Sequence, residues 1–147
     1  MPTLRIVWIE FALCIFFAAY SGSRIYEIIC SRTADNYKES VALQYIGEKV
    51  RQGDEAGNIR VVEINQISVL ELGKPSKEDG YILWIYAYEG RIRELFAAAN
   101  TDLELEDGIC VLECDGLWFH LEDSLLTVEI GSQGGKGLFL AVRSREK

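Results

Sequence analysis

The stretch Ile6-Val7-Trp8-Ile9-Glu10-Phe11-Ala12-Leu13-Cys14-Ile15-Phe16-Phe17-Ala18-Ala19-Tyr20 holds fifteen residues with one charge, Glu10, and is followed by Ser21-Gly22-Ser23-Arg24. A helix over these residues is about 22 Å long at ~1.5 Å per residue, short of a ~30 Å hydrocarbon layer. Leu4, Ser21 and Gly22 lengthen it, and the stems of Arg5 and Arg24 reach outward at its ends. Three readings fit an apolar run of this length: a membrane-spanning helix, a cleaved signal peptide, and a buried core helix of a soluble domain. Ala19-Tyr20-Ser21-Gly22 matches a cleavage site loosely, and a carboxylate inside the run is unusual for a signal peptide. A soluble helix normally keeps a polar face, but Phe11 to Ala19 offers none. The expectation is a helix in the bilayer, with residues 1–23 as its membrane-spanning part. Arg5 precedes the run and Arg24 and Arg32 follow it, so the basic residues do not fix the orientation.

A carboxylate within the hydrocarbon costs on the order of 2–3 kcal/mol, so Glu10 is expected either to meet a protein partner or to lie close enough to the membrane face to reach water. It is five residues from Arg5, about 7.5 Å along a helix.

The remaining residues, 24–147, read as a continuation of that helix and then a sheet domain. No proline falls between Thr3 and Lys74, and apolar residues recur at helical spacing, with Ile25, Ile28 and Ile29 in one group and Tyr37, Val41, Tyr45 and Ile46 in another. The second half is amphipathic and carries Lys38, Glu39, Gln44, Glu48 and Lys49, as expected of a helix laying one face on a sheet. Gly53 and the residues through Asn58 stop it. Beyond Gly57 the period becomes two. Strands are expected near Ile59–Ile64, Ile67–Leu72, Tyr81–Tyr88, Arg91–Ala97, Ile109–Cys114, Leu117–Glu122, Leu125–Ile130 and Gly137–Arg143. Glu89-Gly90, Asp115-Gly116 and Glu122-Asp123 separate neighbouring runs and favour hairpins, giving an α+β fold in which a long N-terminal helix packs on an antiparallel meander. Tyr81 to Tyr86 is apolar on both faces, which marks a central strand covered by the helix on one side.

The chain has 147 residues, one domain's worth, and a formal charge of -8, which argues against binding nucleic acid through its phosphates. No catalytic, cofactor or metal constellation stands out. Cys14 lies in the apolar run and Cys30 on the helix beyond it; Cys110 and Cys114 fall on one face of a predicted strand, about 13 Å apart and too far for a disulfide. All four read as packing residues, with pairing of Cys30 to a sheet cysteine open in an oxidising compartment. His120 has no Cys/His neighbours and reads as a hydrogen-bonded strand residue. Asp102, Glu104, Glu106 and Asp107 read as a solvated acidic loop rather than a Ca2+ loop. The glycines of residues 131–137 lack the P-loop spacing and read as a flexible hairpin.

Ile6 to Leu13, with its single glutamate ahead of an apolar run, resembles the N-terminal pattern of type IV pilins and type II secretion pseudopilins. Tyr86-Ala87-Tyr88-Glu89-Gly90-Arg91-Ile92-Arg93-Glu94-Leu95 resembles the strand, turn and strand of minor pseudopilins. This resemblance implies a membrane-anchored structural subunit with an extracytoplasmic sheet domain, other pilin-like or secretion subunits as partners, and an assembly role for Glu10. Glycine precedes the mature first residue at prepilin peptidase sites; Arg5 occupies that position here. Ser40 to Asp54, with Arg93-Glu94-Leu95-Phe96, resembles a small bacterial family of single-span proteins with no assigned function. The other readings are a bitopic protein whose sheet domain binds a ligand or wall component, and a soluble enzyme.

Overall fold

The computed structural model describes residues 2–74, 80–131 and 135–143, with the side chains of 26–33 outside the description. Helix α1 runs over Pro2–Gln52. Contacts divide the chain into two compact units, Met1–Tyr37 and Lys38–Lys147. That division follows packing, whereas the expected boundary at residues 23 and 24 concerned where a membrane span ends.

In the first unit, Pro2–Ile25 forms a 24-residue helical window of mean hydropathy 1.7. At ~1.5 Å per residue it is about 36 Å long, enough to cross a ~30 Å hydrocarbon layer. Its large side chains stay uncovered, with Trp8 67% and Phe16 74% exposed. The core-helix reading required the opposite, complete burial.

The second unit contains the end of α1 and eight strands: β1 (Ile59–Ile64), β2 (Ile67–Gly73), β3 (Tyr81–Tyr88), β4 (Arg91–Ala98), β5 (Ile109–Glu113), β6 (Leu117–Glu122), β7 (Leu125–Ile130) and β8 (Lys136–Ala141). All described pairings are antiparallel. The fold is therefore α+β, an N-terminal apolar helix continuing into an amphipathic segment packed on antiparallel sheets. The helix ends where glycine was expected to end it, with the Gly53 N–H donating to the Lys49 carbonyl at 3.1 Å.

The strands do not form one continuous meander. They make a five-stranded sheet in the order β1-β2-β3-β4-β5 and a three-stranded sheet in the order β6-β7-β8. Asp115-Gly116 is thus a crossover between sheets, not a hairpin turn. The physical reason is burial. Leu117, Phe119, Leu126, Val128 and Ile130 form an apolar inner face on the small sheet, and this joins a core with Ala42, Leu43, Ile46 and Val50 of α1 and Ile59, Leu70, Leu72, Ile85 and Ile92 of the large sheet. A flat meander would leave that face in water.

The central position expected for β3 holds. Ile85 faces the core that includes α1. On the opposite face Tyr86 packs with Val69, Leu95 and Leu105, the last from a short 3-10 turn over Leu105–Asp107. The buried Tyr86 hydroxyl donates to the Leu105 carbonyl at 2.7 Å, and burial pushes the phenol above its ordinary pKa.

A second correction concerns β5. A bulge shifts the β4–β5 register between Ile92 and Arg93, so that Ile92 faces Leu112 while Arg93 faces Cys110. The extra residue reverses the alternation. Cys110 is consequently exposed, whereas Cys114 is half-buried against the core; they do not share a face, and only Cys114 fits the packing role.

Candidate functional site

Glu10 lies within the exposed apolar helix, on the four-residue row that also contains Cys14, Ala18 and Gly22. No ion pair between Arg5 and Glu10 forms among the described residues. At the other end of the apolar run, Arg24 donates to the Tyr20 hydroxyl at 3.3 Å and its guanidinium lies 5.7 Å from that ring's centroid. An amphipathic aromatic beside a basic residue is the composition of a membrane–water interface.

In the second unit three polar arrangements fix the sheets and the helix. Tyr45 donates to Glu94, whose other oxygen meets the Lys49 ammonium at 3.0 Å. Burial raises the Glu94 carboxyl above its ordinary pKa. On the other face of the large sheet, Glu71 is held by Arg60 and by the Trp84 indole N–H at 2.8 Å. The third is Arg93, which donates to the Glu106 carbonyl at 2.9 Å and to Glu89 at 3.2 Å, with its guanidinium 5.1 Å from the Tyr88 ring centroid. These are partnered structural groups, and sequence reading missed them. The signal was present in Leu70-Glu71-Leu72, a charge inside a buried strand.

The Glu94 geometry makes a signed prediction. Because ionising this carboxyl costs the folded state more than the unfolded chain, its contribution to stability is complete below the unfolded value of ~4.3 and is lost as pH rises through the raised folded value. Wild type is expected to lose urea-midpoint stability relative to Glu94→Gln between pH 4 and pH 7. A gain over that window would show that the Lys49 pair outweighs the burial.

The third feature is a cleft of about 240 Å³ where three connections converge. Its walls are Gln66, Ile67 and Ser68 after β1, Ala87 and Gly90 around the β3–β4 turn, and Cys114 to Trp118 in the sheet crossover. Asn65 and Gln66 have φ of 50° and 65°, and Glu89 and Gly90 have 51° and 72°, the signature of two-residue primed turns. Burial raises the Cys114 thiol above its ordinary pKa, which keeps it protonated near neutrality.

The remaining expected sites separate. His120 is not hydrogen-bonded within the strand: its side chain is exposed on the outer face of β6, with Nε2 3.8 Å from Glu122. Outward alternation in a two-layer packing, rather than a buried bond, sets its environment. The acidic loop has a local job, since Asp107 accepts from the Glu104 N–H at 3.1 Å in a capping box. Among the described residues no group of His, Cys, Asp and Glu could hold a metal ion. Cys14, Cys110 and Cys114 are free thiols. The side chain of Cys30, whose pairing was left open, and the tip of the glycine hairpin at residues 132–134 lie outside the described residues.

Residues 37–133 match a family model, a domain of unknown function designated DUF4860. The chain belongs to that family. No curated protein and no solved structure matches it.

Proposed function

We propose that the protein is a single-pass, membrane-anchored, non-enzymatic subunit of pilin-like or minor pseudopilin-like kind, serving a type IV pilus or type II secretion-like assembly with its sheet unit outside the cytoplasm. One observation carries the reading: an uncovered apolar helix bearing a carboxylate, Pro2–Ile25, belongs to the same helical element as Lys38–Gln52, whose apolar face is buried on antiparallel sheets. The arrangement gives one segment suited to lipid and another suited to water. Glu10 is the assembly residue, because a carboxylate in the hydrocarbon is best satisfied by a partner subunit. Arg5, in place of the peptidase-site glycine, disfavours cleavage of the prepilin type, and with it a newly exposed amine as the group that pairs with Glu10.

Glu10→Ala is expected to leave membrane insertion intact, since removing the charge lowers the insertion cost by ~2–3 kcal/mol. It is expected to abolish co-purification with pilus or secretion subunits from native membranes. Normal assembly in a deletion strain, with no such subunits recovered by crosslinking, contradicts the proposal. The second reading, a bitopic protein with a ligand-binding sheet domain and no filament role, is favoured by the cleft at the three connections; it predicts that Glu10→Ala leaves function unchanged.

A further inference from the structure

The cleft between Gln66, Gly90 and Trp118 contains polar groups of two kinds, those already engaged and those that are not. The Ser68 hydroxyl is engaged, donating to the Phe119 carbonyl at 3.3 Å and accepting from the Phe119 N–H at 3.1 Å. The Cys114 N–H donates to the Gly90 carbonyl at 3.0 Å, and the Gly116 carbonyl accepts from the Gly131 N–H at 3.0 Å. The Gln66 amide, the Asp115 carboxylate and the Trp118 indole have no hydrogen-bond or ion-pair partner among the described residues. Apolar walls come from Ile67, Ala87 and Leu117, and no lysine, arginine or histidine lines the cleft.

Size and charge restrict what fits. About 240 Å³ is below the ~300 Å³ at which whole small-molecule sites begin, so one side-chain head is a better match than a complete metabolite. A carboxylate without a basic neighbour, on a chain of net charge -8, disfavours an anion and favours a cation. The exposed indole lies over Gly116: a Cβ added there would lie 2.8 Å from Trp118 Cζ3, so the ring occupies the space that this glycine leaves open. An indole, a carboxylate and an amide lining one cleft match the chemistry of a planar guanidinium, which can stack on an aromatic ring while its fork donates to a carboxylate. An ammonium fills less of that surface.

We infer that this cleft receives an arginine side chain of a partner protein, with Trp118 as the stacking face and Asp115 as the counter-charge. The inference concerns the sheet unit by itself and does not rest on the pilin-like reading. The test uses the full chain in detergent micelles and follows the Trp118 indole N–H, assigned with Trp118→Phe, and the Gly90 and Gly116 amides by NMR. Ac-Arg-NH2 is expected to shift these signals saturably in the millimolar range, with Ac-Lys-NH2 weaker and Ac-Glu-NH2 inert. Asp115→Asn is expected to weaken the arginine probe about tenfold, and Gly116→Ala to abolish its effect by displacing the ring, both with the other amide signals in place. Equal shifts from the arginine and glutamate probes, no shift from either, indifference to Asp115→Asn, or tighter binding of methyl glucoside would each overturn the inference.

Discussion

Placing two arginines in the apolar run, as Leu13→Arg with Phe16→Arg, is expected to release the chain from the membrane pellet. Each arginine near the centre of a span costs roughly 2.5–3.5 kcal/mol on insertion scales, so the pair costs about 5–7 kcal/mol. Both native side chains are more than 60% exposed within the described chain, and neither contributes to the core of the sheet unit. The substitution therefore acts on partition into lipid without touching the sheets. Flotation of native membranes checks it: wild type rises with the vesicles, and the double variant is expected in the load fraction or degraded. Flotation of the double variant at the wild-type level would contradict a spanning role for this helix.

The second large effect concerns the other end of the same helix. Ile46 is fully buried where α1, the large sheet and the small sheet share a core. Ile46→Ala removes three carbons from a site fixed on three sides, and such truncations cost about 2–5 kcal/mol, depending on how far the surroundings collapse. Against a typical domain stability of ~5–15 kcal/mol, that loss is large. The urea midpoint of the sheet unit is expected to fall steeply, while Gln44→Ala, on the exposed face, is expected to stay within ~0.5 kcal/mol of wild type. A small effect at Ile46 would mean that residues 38–52 rest on the sheets without sharing their core.

Much of this architecture was legible because its signals are local. Ile64 and Ile67, Tyr88 and Arg91, and Glu122 and Leu125 each bracket two residues, which fixes hairpin register by turn length alone. Asp115-Gly116 has the same spacing and composition, yet joins different sheets. What distinguishes it is nonlocal: the Gly116 carbonyl accepts from Gly131, and Trp118 fills the space beside Gly116. The β5 bulge was hidden for a related reason, since alternation within one strand does not report the register of its partner. Glu10 was visible as a charge out of place, and no described contact of this chain partners it. The cleft was illegible because it is built from three connections distant in sequence, each an ordinary turn when read alone.

If the first helix resides in lipid while the sheet unit it leads to resides in water, the native thiols report on both environments. Cys14 lies within the apolar window and Cys110 on the exposed surface of β5. In variants retaining one of these cysteines, reconstituted in vesicles opened to reagent on both sides, a membrane-impermeant maleimide is expected to label Cys110 promptly and Cys14 after detergent is added. Labelling of Cys14 at the rate of Cys110 without detergent, in a chain recovered as an aqueous monomer, would contradict the account.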